Sequence, residues 1–318
     1  MVKHLASIGL FGALTTCALA SFEMLLVADN GANTTPTRRI HRFDPDSGVY
    51  LGAFGNFSSD IQSIEIRQSR NEAYVTAGST LYVFDYNTGA LKKDFGGWVF
   101  TDVAFSQDDS TFYAVGGTSS IYKTTTAFMD AGSFSPAIWV NDASATMTSV
   151  AVTWGNKVMT GQTRSGQAAV YSYDATNPGT GTGVTGFNPG VVLGAAANIG
   201  GGGSLQALSY SGLGYAYRYG SSGFGSSFYY TSQIGTATAA SAAHSGAYLV
   251  GIDAATPTQG LITRFANSGA EMQSFGGSVL RKPIAMASVL APEPGTMIAL
   301  GAGITALLRR RKRSLRRA

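Results

Sequence analysis

The chain has 318 residues, of which 44% are hydrophobic, only 13% are charged and 41 are glycine. Because glycine and β-branched residues weaken helices, this composition argues against a helical protein and favours strands and turns. The formal net charge of +4 comes from the two ends: residues 21–291 contain 14 basic and 17 acidic side chains, which excludes a basic nucleic-acid-binding domain.

Residues 1–20 are predicted to be an export signal. Lys3 supplies the positive charge at the start, a short apolar stretch follows, and Ala18 and Ala20 place small residues at positions −3 and −1 of a signal-peptidase site. The stretch is too short, and too often interrupted by Gly and Thr, for a membrane span. The alternatives are an ordinary buried helix and a lipoprotein signal with Cys17, the only cysteine, as lipid acceptor. After cleavage the chain would contain no disulfide.

An internal repeat characterises the domain predicted over residues 21–290. The segment 40–55 aligns with 81–96, with Phe, Asp, Gly and Phe in the same four places. A third copy covers 262–276, and a weaker one begins at Val170. Alternating apolar residues between turns of the Asp/Asn-Gly type predict short strands.

The clearest predicted strands are 61–67, 73–77, 81–85, 90–95, 101–105, 111–115 and 120–124. Four short strands every 40–45 residues are typical of a β-propeller blade, so we predict an all-β fold with about six four-stranded blades. The last strand, 284–290, is expected to pair beside residues 24–54 and close the ring. Residues 26–31 and 39–44 resemble NHL-type and YVTN-type surface propellers. Five or seven blades, a β-sandwich and a parallel β-helix are the alternatives.

The last 27 residues combine three features in a fixed order. A proline-rich motif comes first: Pro292, Glu293, Pro294 and Gly295. The uncharged segment 296–308 then predicts a helix of about 20 Å, shorter than the roughly 30 Å hydrocarbon core of a membrane. The tail 309–318 is basic and is expected to stay cytoplasmic. It begins with Arg309, Arg310 and Arg311.

This order of features resembles the PEP-CTERM sorting signal. The resemblance implies export, transient insertion in the inner membrane and processing by an exosortase near the Pro-Glu-Pro motif. It further implies a final location at the cell surface or in the extracellular matrix of bacteria that make extracellular polysaccharide. A plain single-span tail anchor is the alternative. The resemblance says almost nothing about activity, because the family carries unrelated domains.

Few residues of the domain suggest chemistry. The segment from Asp44 to Gly48 resembles the start of a calcium loop, but Gly55 stands where the twelfth-position carboxylate is needed, so a turn capped by Asp44 is expected. His41 and His244, the histidines outside the export signal, lie on different predicted blades, which implies neither a zinc site nor a Ser-His-Asp triad. No catalytic residue, metal or cofactor is predicted.

An aromatic-rich stretch within the Gly-rich region 176–246 has two interpretations, since exposed rings stack on sugars and alternating rings also line a buried strand face. Its members are Tyr215, Tyr217, Tyr219, Phe224, Phe228, Tyr229 and Tyr230. We predict a non-catalytic binding or structural propeller whose partner is extracellular polysaccharide or a surface protein. The alternative is a polysaccharide lyase or hydrolase, for which Arg67, Asp102 and Arg164 are the residues to check.

Overall fold

The computed structural model describes residues 24–32, 37–116, 118–152, 157–179, 181–186, 192–199, 203–210, 213–220, 223–243 and 246–289. They belong to one compact unit, Met24–Val289. The predicted export signal, with Ala18 and Ala20, lies outside these residues, as do the Pro-Glu-Pro motif and the tail. Among the helices of the described ranges, none is long and apolar enough to cross a membrane.

The described chain is almost entirely β-structure. The first twelve strands are β1 (Met24–Asp29), β2 (Arg39–Phe43), β3 (Tyr50–Phe54), β4 (Ile61–Arg67), β5 (Glu72–Ala77), β6 (Thr80–Asp85), β7 (Leu91–Gly96), β8 (Asp102–Phe105), β9 (Thr111–Val115), β10 (Ser120–Thr125), β11 (Ala137–Asn141) and β12 (Ala145–Val152). The other twelve are β13 (Lys157–Arg164), β14 (Gln167–Asp174), β15 (Thr182–Gly186), β16 (Val192–Ile199), β17 (Gly203–Tyr210), β18 (Leu213–Gly220), β19 (Gly223–Thr231), β20 (Ile234–Ala243), β21 (Gly246–Asp253), β22 (Gly260–Ala266), β23 (Glu271–Phe275) and β24 (Pro283–Val289). A 3-10 turn, Gln68–Arg70, and one short helix, α1 (Thr126–Asp130), complete the elements.

The strands form five sheets arranged like the blades of a propeller. Four sheets have four strands each, in the orders β24-β1-β2-β3, β4-β5-β6-β7, β11-β10-β9-β8 and β12-β13-β14-β15. The fifth has eight strands in the order β19-β18-β17-β16-β20-β21-β22-β23. The all-β propeller prediction is confirmed, but the predicted six blades are not. The sheets number five because β16 and β20 pair in parallel at Ala195 and Ala239, which joins two four-stranded meanders.

Each four-stranded sheet contributes one strand to an inner ring, and the eight-stranded sheet contributes two. Strand β24 contacts β4, β4 contacts β8, β8 contacts β12, β12 contacts β16, and β20 returns to β24. Strand β24 also pairs antiparallel with β1, placing Met24 opposite Val289 and Leu26 opposite Ala287. The prediction that the last strand closes the ring is therefore confirmed. This pairing covers the edge of β1 that would otherwise be open at the seam.

Apolar cores lie between neighbouring sheets. Leu26 and Val289 pack with Ile64 and Val75 of the next sheet. Similar cores join β4–β7 to β8–β11, β8–β11 to β12–β15, and the eight-stranded sheet to the first sheet. The predicted strands 61–67 and 111–115 have the observed bounds, and the others agree to within one residue at either end. Helix α1 was not predicted, since five residues are too few to show a helical period.

The predicted role of Asp44 as a turn cap is confirmed. Its Oδ1 accepts the backbone N–H groups of Asp46 and Ser47 at 2.9 and 3.0 Å. In the second repeat, Oδ1 of Asp85 accepts the corresponding N–H groups of Asn87 and Thr88 at 3.1 and 2.9 Å. These bonds hold the two repeated turns in the same conformation.

The repeat also fixes contacts between sheets. Gly89, in the β6–β7 turn, has φ +77° and lies against Phe54, so that an added Cβ would be 2.5 Å from the Phe54 Cβ. Gly48, in the β2–β3 turn, has φ +71° and lies against Phe275 in the same way. The repeated Phe of one unit is thus covered by the repeated Gly of the next. Arg42 adds a second link by donating to the Asn87 carbonyl oxygen at 2.6 Å.

Candidate functional site

The three charged residues selected for inspection occupy different strands and have different partners. Arg67 ends β4, Asp102 begins β8 and Arg164 ends β13. Arg67 and Asp102 are buried, and Arg164 is partly exposed. The three contribute to contacts within and between sheets.

Arg67 forms a two-pronged ion pair with Asp130, the last residue of α1. Its Nη1 and Nη2 donate to the two carboxylate oxygens of Asp130 at 2.6 and 3.1 Å. Burial tends to raise the pKa of Asp130, but the Arg67 bonds and the nearby positive charges hold that pKa below its usual value. Glu72 lies 3.9 Å from Arg67 and accepts a hydrogen bond from the Tyr74 hydroxyl at 2.9 Å. This network attaches α1 to the sheet β4–β7.

Asp102 links two inner strands. Its Oδ1 accepts the N–H of Val103 at 3.0 Å, and its Oδ2 accepts the N–H of Val150, on β12, at 2.9 Å.

Glu65, which sequence reasoning missed, lies on the inner strand β4. Burial raises the pKa of Glu65 well above its usual value, and the negative charges of Asp102 and Asp109 raise it further. A glutamate between two isoleucines on an inner strand was the signal that could have identified it.

Arg164 contacts β14 of its own sheet and the connection between β11 and β12. Its guanidinium lies 3.9 Å from the Tyr171 ring centroid, donates to Ser144 Oγ at 3.0 Å and pairs with the Asp142 carboxylate.

Thr160 and Gln162 precede Arg164 on the same face of β13, because side chains alternate along a strand. Together with Tyr173 of β14, these residues form what we call the interblade cluster: Thr160, Gln162, Arg164 and Tyr173. Sequence reasoning selected Arg164 but missed the other three.

The aromatic stretch divides between β18 and β19. Tyr229 is buried and packs 5.5 Å from Phe265 between ring centroids, whereas Tyr230 is 57% exposed and 6.2 Å from the Tyr215 ring. Core packing is therefore confirmed for Tyr229. The side chains of Tyr217, Tyr219, Phe224 and Phe228 lie outside the described part of the structure. Sugar contact by Tyr230 stays a prediction.

The structure describes one of the two histidines singled out in the sequence. His41 lies on β2, 5.8 Å from the Tyr50 ring between centroids, and burial lowers its pKa, as does Arg39. The negative charge of Asp29 opposes that shift. His244 lies outside the described residues. Among the described ranges, no group of three His, Cys, Asp or Glu side chains could hold a metal ion.

Comparisons with known proteins support the fold alone. No protein-family model matches the chain, and no curated protein matches it. Among solved structures, the chain is similar to a protein of unknown function from Bacteroides caccae, with a TM-score of 0.59 and 10% sequence identity. The match covers 85% of this chain and 99% of that one. At this identity the match establishes a shared architecture and says nothing about activity.

Proposed function

We propose that this chain is an exported cell-surface or extracellular-matrix protein whose propeller binds a ligand without catalysing a reaction. The observation that favours a non-catalytic role is that the charged residues selected for inspection are engaged within the protein. Both η nitrogens of Arg67 and both carboxylate oxygens of Asp102 are occupied by bonds between structural elements. A catalytic group must instead reach the substrate within hydrogen-bond distance.

The export and sorting part of the proposal rests on the sequence of the two ends. Its test is the intact mass and location of the protein in its native host, with and without a working exosortase. We expect an extracellular species that lacks residues 1–20 and the basic tail. A variant with Pro292, Glu293 and Pro294 replaced by Ala should retain its tail and stay in the inner membrane. A full-length C-terminus in both strains would overturn the sorting proposal and favour a simple tail anchor.

The proposed partner class is extracellular polysaccharide, with a surface protein as the second choice. Loops on a rigid scaffold commonly carry binding residues, and exposed aromatic rings such as Tyr230 stack on sugar rings. The test is co-sedimentation of the purified protein with the host's insoluble polysaccharide. We expect Tyr230→Ala to reduce the bound fraction, while Leu91→Ala, another exposed apolar change, leaves it unchanged. Equal retention of all three proteins would contradict a sugar contact at Tyr230.

Glu65 favours the alternative of a polysaccharide lyase or hydrolase. A half-buried carboxyl whose pKa is raised by desolvation and by the negative charge of Asp102 has the property expected of a general acid. The test is the release of reducing or unsaturated ends from the same polysaccharide. Activity that Glu65→Gln abolishes would replace the binding proposal with the enzymatic one.

We also propose that the eight-stranded sheet consists of two blades, giving six in all. Within the described strands, the Ala195–Ala239 pair alone joins β16 to β20. Strands β16–β19 and β20–β23 each form a continuous antiparallel meander. A crystal structure would decide the count: six evenly spaced inner strands are expected, and a continuous β16–β20 ladder would contradict the division.

A further inference from the structure

Strand β3 is the outer edge of the first sheet, and its exposed side chains are apolar. Among the described strands it pairs with β2 alone. Val49, Tyr50 and Leu51 follow one another at its start and are 55%, 43% and 39% exposed. Consecutive exposed apolar residues are unusual on a surface that faces only water. An edge strand also presents a row of N–H and C=O groups that another strand can bind.

The corresponding outer strands of the other repeat units carry charges. Leu51 is the bulged residue of its strand, and the bulged residues at the same place are Lys92 in β7 and Met272 in β23. The residues around the bulge are Tyr50, Gly52 and Ala53 in β3, Leu91, Lys93 and Asp94 in β7, and Glu271, Gln273 and Ser274 in β23. Charged side chains on an edge strand hinder its pairing with another chain. Because all three strands have the bulge, the absence of charge is what distinguishes β3.

The charges of the β2–β3 hairpin are separated between its two ends. Asp44 and Asp46 lie in the turn that joins the strands, and the Asp46 side chain is 71% exposed. Arg264 of the last sheet pairs with Asp46 at 2.7 Å, which leaves the turn with two carboxylates beside one guanidinium. Arg39, the first residue of β2, lies at the opposite end and is exposed. The hairpin therefore has an acidic turn and a basic end.

We propose that β3 is the site at which two copies of this chain associate, by antiparallel pairing of the two β3 strands about a two-fold axis. This arrangement places the acidic turn of each hairpin beside the basic end of the other, so that Asp44 and Asp46 approach the partner's Arg39. It also covers both exposed apolar runs at once. A two-fold contact is closed, so pairing stops at the dimer. The inference requires neither export nor sugar binding and can fail or succeed independently of the proposed function.

Strand β11 is the competing edge, because it is also uncharged and its Ile138 is 57% exposed. The charges at its two ends are already engaged with the next sheet. Lys123 lies over the Trp139 ring and donates to the Ala175 carbonyl oxygen at 3.4 Å, and Asp142 pairs with Arg164. Pairing of β11 with a second copy would therefore bring no free opposite charges together, and β3 is the favoured edge.

The first test is sedimentation velocity of the purified full chain in mild detergent, over a range of concentrations. We expect a reversible monomer–dimer equilibrium. Leu51→Lys/Ala53→Lys should raise the dimer dissociation constant about tenfold or more, because like charges directly opposite each other across two strands are unfavourable. Met272→Lys/Ser274→Lys makes the same change at the same positions of β23 and should leave the constant unchanged.

Three results would overturn the proposal: a monomer at every concentration, a dimer that the β3 variant retains, or a dimer that Ile138→Lys abolishes. A dimer held by the apolar end segments of the chain would give the second result. Should the double variant at β3 fail to fold, Leu51→Lys alone is compared with Met272→Lys, since both side chains are exposed.

The second test locates the two-fold axis by disulfide cross-linking of the full chain. Tyr50→Cys, Leu51→Cys and Ala53→Cys are made singly in a Cys17→Ser background and oxidised mildly. A disulfide requires the two Cα atoms to lie within about 7 Å, so the position closest to the axis should give a covalent dimer. Met272→Cys, exposed on β23, is the control and should stay monomeric. No covalent dimer from any of the three β3 positions would contradict the pairing.

Discussion

Two connections of the propeller, the β6–β7 turn and the β10–β11 segment, attach neighbouring sheets by different chemistry. In the turn, Gly89 lies against the ring of Phe54, a contact that depends on the missing side chain. In the β10–β11 segment, helix α1 replaces the turn, and its Asp130 binds Arg67 of the preceding sheet. The repeat is visible in the sequence where the turn is kept and disappears where the helix replaces it.

The comparison shows that the connection between the third and fourth strands of a sheet can be attached to the preceding sheet by close packing or by an ion pair. The two kinds of contact are sensitive to different substitutions. A glycine contact fails when volume is added, and it is indifferent to pH. A buried ion pair fails when one partner is removed, because the other charge then stays buried without compensation. Substitutions on either side should separate these two behaviours.

The largest effect is expected from Arg67→Met. It leaves Asp130 and Glu72 without their buried cation, and removing one partner of a buried pair costs about 3–5 kcal/mol. The measurement is the free energy of unfolding by urea denaturation. Arg70→Met is the control, because Arg70 pairs with the same carboxylates from an exposed position and should cost less than about 1 kcal/mol. Equal losses in the two variants would show that the network is not held by its buried arginine.

Gly89→Ala should be the next most damaging change. A left-handed backbone costs a non-glycine residue about 1–2 kcal/mol, and the clash with Phe54 should add about 1–3 kcal/mol. Gly132→Ala isolates the backbone cost, because Gly132 has φ +84° and an added Cβ there meets nothing within 4 Å. The difference between the unfolding free energies of the two variants measures the contact. Identical losses would mean that Phe54 moves aside without cost.

A smaller effect, visible only as a function of pH, is expected from Glu65→Gln. Because the folded-state pKa of Glu65 lies above its unfolded value, its favourable contribution is complete below the unfolded pKa and is lost as the pH rises through the folded one. Glu65→Gln should therefore gain stability relative to the parent as the pH rises from about 4 to 8. Thermal denaturation across that range tests this. Asp109→Asn removes one of the negative charges and should weaken the same pH dependence in the parent; a flat difference would contradict burial of the Glu65 charge.

The smallest effect is expected from Asp85→Ala, which removes the cap of the β6–β7 turn at a cost of about 1 kcal/mol. The hydrogen bond from the Thr88 N–H lowers the pKa of Asp85; burial opposes this shift, and the Thr88 hydroxyl adds to it. The cap therefore stabilises the fold above the unfolded-state pKa, and this contribution is lost as the pH falls through the folded-state pKa. Urea denaturation at pH 7 and pH 3 should show a larger loss at pH 7 than at pH 3. Asp85→Asn keeps an acceptor oxygen and should retain most of the stability at both values.

The sequence predicts the strands well where alternation and turn residues coincide, as in 61–67 and 111–115. It could not predict the five-sheet count, because that depends on one pairing between Ala195 and Ala239, far apart in the chain. The candidate site was predictable only in part. Arg164 attracts notice as a charge, whereas Gln162 and Tyr173 become unusual only when the neighbouring sheet removes them from water.

The pairing of β24 with β1 has consequences for how the domain folds and for how it responds to mechanical force. Strand β1 emerges first during synthesis, and its inner partner emerges last, so the ring must wait with an open seam until nearly the whole domain is available. Because Met24 stands opposite Val289, the two ends of the described domain are adjacent at that seam. A force applied between those two segments would act first on the β1–β24 hydrogen bonds and would open the ring at the place where it last closed.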